Sequence, residues 1–487
     1  MIFLNTDSKF TEVKTKDYEF YHYGSFNLSI DDIIHKLLLG NFPSNIKGNF
    51  AFVFKDKSRT VLAVDHLPTT NLFYGLGYIG HIYLSLVEEL ESQDFYLNLN
   101  NPIRRQIDLY WGGSVGQETT YKQIKRVLSG CYLEIFPDGK EKITEYRNLY
   151  THFTDPNFNV NELSDVLENF ISKTVKNNQN KYGLLYSSGT DSNTLLGFFK
   201  KLNLHNDCKL ISIRGKKEYQ EEALYIEKIS NSYGLKPNWY TLSHVNNREF
   251  EKFAETTNDN NFKLAYQRTH NAYWLDPHAV TKYLAVNGTN NQDCVIFTGE
   301  VGDQIFGSRF GKVLLKYILQ RPNHSVEELA HLFLNCDRNR FKKIGVIDTL
   351  FDYTNFKNIN KCQDIIIEWF VSTWNKIETD DLVNKIEILH YFYKGSHRVY
   401  NYGQFTDLKF AHPFADCEVF DLVWKIPGKE KIGSNGKTRM LSYNLIKDHV
   451  LDLPWTLPKT GVAIFPEELQ YETARKKYAS LLFKGEM

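Results

Sequence analysis

Asp191 and Asp303 stand in the two stretches of this sequence that most clearly imply chemistry. Asp191 belongs to Tyr186-Ser187-Ser188-Gly189-Thr190-Asp191-Ser192, which follows an apolar run and opens a segment with Leu195, Phe198, Phe199 and Leu202 on one helical face. A strand, a turn of small residues and a helix, in that order, make an anion site. Small side chains let backbone N–H groups approach the anion, and the helix N-terminus adds partial positive charge. The hydroxyls of Ser187, Ser188 and Ser192 are further donors. A carboxylate at that place repels phosphate, so Asp191 is read as a Mg²⁺ ligand, the ion bridging it to the phosphates. The competing reading is a serine-rich turn in which Asp191 caps the helix.

Asp303 lies in a second apolar run that ends in a glycine-rich acidic turn, Val295-Ile296-Phe297-Thr298-Gly299-Glu300-Val301-Gly302-Asp303-Gln304-Ile305-Phe306-Gly307. Ligands of open α/β sheets bind beyond the carboxyl ends of the strands, so both turns are expected to face one crevice where Asp191 and Asp303 share a metal. Here the plainer alternative is that Asp303 is a helix N-cap. A third segment, Leu457-Pro458-Lys459-Thr460-Gly461-Val462-Ala463, holds a lysine among proline and glycine and suits stabilisation of phosphate charge during adenylation; alone it reads as a surface lysine. Gly433 to Thr438 resembles the end of a Walker A loop, but the required first glycine falls on Lys431 and no strand precedes it, so a P-loop is rejected. His270 and His278 have no Cys or acidic partner at metal-ligand spacing.

The elements that position these residues have two rhythms. Up to about residue 150 the pattern is short strands and turns: 48–54 and 60–64 form a hairpin across Asp56-Lys57-Ser58-Arg59, 78–86 and 130–136 read as further strands, and Pro137-Asp138-Gly139-Lys140 is a turn. A helix is expected over 161–177. Strands at 181–186, 209–213, 238–242 and 293–298 then alternate with helices at 191–202 and 221–233, which implies a parallel α/β sheet. From about 313 to 447 the pattern is mainly helical. Two domains are expected, 1–150 and 151–487.

Bulk composition excludes several classes. The 487 residues carry 58 Lys+Arg against 58 Asp+Glu, so no global field attracts nucleic acid or acidic lipid. Six scattered cysteines without a CxxC pair read as reduced thiols of a cytoplasmic protein, and no signal-like or membrane-spanning stretch is seen.

Taken together, these motifs resemble the asparagine synthetase superfamily from about residue 40 to 470. The stretch 186–192 is similar to the family's pyrophosphate loop, SGGxDS, with Ser188 in place of the first glycine. Thr298 to Gln304 resembles SGEGxDE, departing at Val301 and Gln304; His412-Pro413-Phe414-Ala415-Asp416 resembles RPFLD; Pro458-Lys459-Thr460-Gly461 resembles the lysine loop. Ile426-Pro427 and Lys437 fall where the family has its LP pair and a further lysine. The resemblance implies a PP-loop ATP pyrophosphatase-like domain with a helical C-terminal part, behind a truncated, Ntn-hydrolase-like antiparallel α+β domain. It implies ATP and Mg²⁺ as cofactors. Ser187, Ser188, Gly189, Thr190 and Ser192 would hold phosphates, and Asp191 and Asp303 the metal. Tyr186, Ile213, Thr298 and Gly299 would line the adenosine, with Lys437 also at the nucleotide. Lys459 would stabilise the transition states and Glu300 would move a proton.

In the N-terminal half, Gly48 to Val53 and Leu72-Phe73-Tyr74 are similar to family strands. The family's glutaminase nucleophile, however, is a cysteine at position 2, where this sequence has Ile2, and the first strands are expected to be missing. The expectation is an ATP-dependent ligase or cyclase that joins a small-molecule or peptide carboxylate to an amine without hydrolysing glutamine. A lasso-peptide-type macrolactam cyclase is one version. A glutamine-independent asparagine synthetase, a non-catalytic ATP-binding protein and a PP-loop enzyme modifying nucleic acid are the alternatives. A homo-oligomer or a biosynthetic partner protein is compatible with either expectation.

Overall fold

In a computed structural model of the chain, the described residues are 1–4, 10–65, 71–81, 83–98, 103, 116–119, 121–147, 154–187, 189–214, 220–241, 286, 289–291, 293–307, 325–328, 330–332, 359–374, 381, 384, 408–433 and 438–449. The N-terminal elements run β1 (Ile2–Leu4), β2 (Thr11–Lys14), β3 (Tyr18–Gly24), α1 (Ile30–Leu38), β4 (Phe50–Asp56), β5 (Thr60–Val64), β6 (Phe73–Gly75), β7 (Tyr78–Gly80), α2 (Tyr83–Ser92), β8 (Lys125–Arg126), β9 (Cys131–Ile135) and β10 (Glu141–Glu145).

These strands form a six-stranded antiparallel sheet, β10-β9-β5-β4-β3-β2, and a four-stranded sheet, β1-β7-β6-β8. The smaller sheet is antiparallel except at its edge, where β1 runs parallel to β7. Residue alternation along β4 sets the layering, because successive side chains leave opposite faces. Ala51 and Val53 pack in a core with Leu72, Tyr74 and Ile79 of the smaller sheet. Phe50, Phe52 and Phe54 pack instead with Ile33, Ile34 and Leu37 of α1. Leu86, Val87 and Leu90 of α2 cover the outer side of the smaller sheet with Phe73 and Ile124. The result is helix, sheet, sheet, helix.

Two sequence expectations change here. Three strands precede Gly48, so the early strands are present. The strand expected over 78–86 stops at Gly80, and α2 follows, with buried Leu86, Val87 and Leu90 at helical spacing.

The later elements are α3 (Val160–Asn177), β11 (Tyr182–Leu185), α4 (Thr190–Lys201), β12 (Lys209–Arg214), α5 (Gln220–Ser232), β13 (Asn238–Thr241), β14 (Val295–Phe297), α6 (Gly302–Ile305), α7 (Ile359–Trp374), β15 (Lys409–Ala411), α8 (Cys417–Lys425), α9 (Gly428–Lys431) and α10 (Met440–Ile446). Their five strands form one sheet in the order β13-β12-β11-β14-β15, and every neighbouring pair is parallel. The strand β15 lies inside the stretch read from sequence as helical; its three residues are too few to show a period.

Both faces of this sheet are covered, as all-parallel sheets require. Tyr182, Leu184, Val295 and Phe297 enter a large core with α3, α4, α7 and α8. Leu185, Ile211, Cys294 and Ile296 pack on the other side with Val286 and Leu408. The order matters for function. From β11 the chain steps outward to β12 and β13, then returns to β14 on the opposite side of β11. The gap between β11 and β14 is therefore the topological switch point, where crevices of open α/β sheets form.

The two halves touch through named groups. Arg147 pairs with Asp421 of α8, and Lys47 lies 3.7 Å from the same carboxylate. Within the later half, the Asp155 N–H donates to the Lys425 carbonyl at 2.7 Å. Cys131, Cys208, Cys294, Cys362 and Cys417 are free and buried, as the cysteine pattern suggested; Cys336 lies outside the described residues. Among the described residues no helix is long and apolar enough to cross a membrane.

Candidate active site

The turn after β11 is held by its own serines and leads straight into α4. Gly189 is the N-cap of α4 and makes no side-chain cap bond, so Asp191 stands inside the first turn and does not cap the helix. The Ser192 hydroxyl holds the turn together. It lies 2.7 Å from the Ser187 carbonyl and 3.0 Å from that of Gly189, and it accepts the Ser187 N–H at 3.2 Å. A hydroxyl has a single proton to donate, so Ser192 positions the loop before it can serve any ligand. Ser187 is exposed, and its Oγ accepts the Gly189 N–H at 3.1 Å. The Tyr186 ring is buried in the core and donates from Oη to Asn193 Oδ1 at 2.7 Å, while the Tyr186 carbonyl accepts from Ser212 Oγ at 3.0 Å. Ile213, half-buried at the end of β12, belongs to the core on the other face of the sheet.

The turn after β14 presses directly against Asp191. A Cβ added to Gly299 would come within 2.6 Å of Asp191 Cβ, and one added to Gly302 within 2.5 Å of Asp191 Oδ1. Those distances exclude any larger residue without movement, which is the physical reason for glycine at both places. Asp303 is in the first turn of α6; the cap is Val301, with a left-handed φ of 72°. Thr298 is buried and its Oγ1 lies 2.6 Å from His412 Nδ1, tying the end of β14 to the residue after β15. Thr298 N–H donates to the Ala411 carbonyl at 3.0 Å. Glu300 is also buried in this turn. Asp416, in the same motif as His412, caps α8 by accepting from Glu418 N–H at 2.9 Å and Val419 N–H at 3.3 Å, and burial raises its pKa.

The two turns therefore bring Asp191 and Asp303 together at the switch point. A residue that the sequence motifs did not include lies between them. Arg439, the N-cap of α10, points Nη1 at Asp191 Oδ1 and Nη2 at Asp303 Oδ1. Its side chain is 4% exposed, against 14% for Asp191 and 26% for Asp303. Burial lowers its pKa to about 9, and the two carboxylates favour the charged form, so the guanidinium is cationic at neutral pH. The helix α10 packs against α4, which brings Arg439 to Asp191. One signal for it was present in the sequence: a basic residue directly ahead of an apolar helical segment opposes the helix dipole and needs anions elsewhere.

The carboxylate pair fits a magnesium site. Magnesium binds through one or two carboxylates and completes its shell with substrate phosphates and water. The pair is close enough for one guanidinium to touch both members. Among the described residues no group of three or more His, Cys, Asp or Glu forms a fuller metal cage. Ser188, Lys437 and Lys459 lie outside the described residues.

No curated protein matches the chain. A family profile described as asparagine synthase matches residues 162–452, which contain β11 to β15, both acidic turns and Arg439. As this match covers more than half of the sequence, the chain belongs to the asparagine synthase family, whose members are ATP-dependent, amide-forming ligases.

Proposed function

We propose that the chain activates a carboxylate by adenylation and passes the acyl group to an amine, with the crevice between β11 and β14 as the reaction site. The observation that carries this reading is the meeting of Asp191 and Asp303 on turns from adjacent parallel strands, held by Gly299 and Gly302. A carboxylate oxygen of the substrate attacks the α-phosphorus of ATP, and pyrophosphate leaves. The amine then attacks the acyl carbon, AMP leaves, and the amine loses a proton, for which Glu300 is the acceptor this reading assigns.

The Asp191 and Asp303 carboxylates would hold Mg²⁺, which when bound supplies neutralisation of phosphate charge. Residues 187–192 at the start of α4 cradle the phosphates with backbone N–H groups and the helix dipole. Ser192 keeps that turn in shape. Lys437 and Lys459 are assigned to the polyphosphate on the family resemblance. The amine is taken to come from a second substrate or from the same molecule, because no cysteine occurs in the sequence before Cys131 and that thiol is buried in β9. The acid is a small molecule or a peptide end.

The test is ATP–pyrophosphate exchange with candidate acids, run beside product analysis. AMP and pyrophosphate are expected. Formation of ADP and phosphate overturns the adenylate mechanism, and absence of exchange with every acid, together with retained ATP binding, marks the chain as a non-catalytic nucleotide binder.

A further inference from the structure

The turn that carries Glu300 is tied to the end of β15 by a buried hydroxyl and an imidazole. Thr298 Oγ1 lies 2.6 Å from His412 Nδ1, and the Glu300 N–H donates to the same hydroxyl at 3.4 Å. A threonine hydroxyl has one proton and two lone pairs, so it serves both neighbours at once whichever tautomer the imidazole holds. The strands do not need this contact for their register. β14 and β15 pair along their whole length, and the Thr298 N–H already donates to the Ala411 carbonyl at 3.0 Å. What the imidazole adds is a fixed direction for the hydroxyl and, through it, a fixed place for the Glu300 backbone.

His412 is itself firmly mounted. Pro413 follows it and restricts its backbone. Its carbonyl accepts the Ala415 N–H at 2.9 Å, and its ring lies within 15° of parallel to that of Phe410. Asp303, further along the same turn, is held by different bonds. The Gln304 and Ile305 N–H groups donate to the Val301 carbonyl at 2.9 and 3.1 Å, and the Phe306 N–H donates to the Gly302 carbonyl at 3.1 Å. These bonds close α6 around Asp303. The turn therefore has separate anchors for its two carboxylates.

We propose that His412 is a positioning residue for acyl transfer: through the Thr298 hydroxyl it sets the place of Glu300, and the metal and phosphate side of the crevice does not depend on it. This rests on the reading of Glu300 as the acceptor of the amine proton. Glu300 is buried on its turn, so a shift of its backbone moves the carboxylate relative to the acyl carbon. The cost falls on the step that uses that carboxylate. Adenylation releases no amine proton and is spared.

Two measurements on the full chain test this. Without ligand, hydrogen–deuterium exchange of the Glu300 amide is expected to speed up roughly tenfold or more in His412→Phe. It is expected to stay at the wild-type rate in His412→Asn, whose amide falls where Nδ1 stood. The half-reactions are then separated, with an acid that supports ATP–pyrophosphate exchange and with ammonia as the amine. In His412→Phe amide formation is expected to fall about a hundredfold, while pyrophosphate exchange falls a few-fold at most. His412→Asn should restore transfer, and His412→Gln, which carries its amide to the Nε2 position, should not. Equal loss of both half-reactions, undiminished transfer in His412→Phe, or rescue by Gln as well as Asn overturns the proposal. So does an unchanged Glu300 amide. Should His412→Phe not fold, His412→Gln takes its place in both measurements. If the wild-type chain turns over no acid, the adenylation reading fails by itself, and the tie stands or falls on the Glu300 amide.

Discussion

Two arginines, one half-buried in the N-terminal half and one buried in the later half, show how similar ion pairs serve different ends. Arg59, just ahead of β5, points Nη1 at Glu134 of β9 and donates from Nη2 to the Leu37 carbonyl at 3.0 Å. That carbonyl is in the last turn of α1, where a cation is favoured by the helix dipole. Glu134 has a second cation, Lys142, at 3.4 Å, reaching in from the exposed face. Each charge in this cluster has an opposite partner, and all of them lie within a sheet and its covering helix. Arg439 stands at the other end of a helix, against the dipole, and faces two carboxylates with one charge. The first cluster ties strands of one sheet to the helix that covers it. The second ties the turns after β11 and β14 to α10 at the switch point of the parallel sheet.

The strongest way to break this contrast is to remove the carboxylates. Asp191→Asn or Asp303→Asn is expected to cut ATP–pyrophosphate exchange by roughly a thousandfold, the scale of losing one electrostatic partner of a transition state. The folded state should survive, because the departure of one carboxylate still leaves Arg439 an anion. Exchange within a few-fold of wild type in either variant would sink the assignment of the crevice.

Next in size is the matching change in the N-terminal half. Glu134→Gln leaves the Arg59 guanidinium buried with no carboxylate, which is expected to cost about 3 kcal/mol of stability. The measurement is the urea midpoint, and the exchange rate per folded molecule should not change. A loss of exchange without a loss of stability would mean that the two halves are coupled more closely than their contacts through Asp421 imply.

A smaller effect tests the packing of the two turns. Gly302→Ala drives a methyl into the Asp191 carboxylate, 2.5 Å away, and Asp191 must move. Displacement of a positioning group by about an ångström costs roughly a hundredfold in rate. Exchange should therefore fall while the urea midpoint shifts little, the reverse of Glu134→Gln.

These same residues show which features a single sequence makes readable. Elements with a strong period or a punctuated turn were legible: the β4–β5 hairpin, α3, and the alternation from β11 to β14 lie within two or three residues of their sequence positions. The convergence of Asp191 and Asp303 was legible because strand order dictates where parallel strands end. What was missed had little local signature, because its place is set by partners distant in the sequence. The three-residue β15 is fixed by pairing with β14, the change from β7 to α2 needs only two residues to reset the period, and Arg439 acquires its meaning from α10 packing on α4. Ser192 was read as a phosphate donor, and its hydroxyl is first of all the knot of its own turn.

Val301 offers the finest test of the site's construction. It occupies the place where the family pattern SGEGxDE has a glycine, and it adopts the glycine-like φ of 72° while its side chain is buried beside Ile305 and Phe306. Two terms oppose each other. A β-branched residue in the left-handed region pays about 1–2 kcal/mol, and burying its side chain returns about 1.5–3 kcal/mol. Replacing valine by either small residue is therefore expected to destabilise, since both lose the packing. The comparison between the two variants isolates the backbone. In ordinary helix or strand interiors alanine is more stable than glycine by about 0.5–1 kcal/mol. At a left-handed position that order reverses, so Val301→Gly should have a higher urea midpoint than Val301→Ala. If alanine is the more stable of the two, the turn next to Asp303 has no left-handed residue to strain, and the tight approach of Gly302 to Asp191 would need another cause.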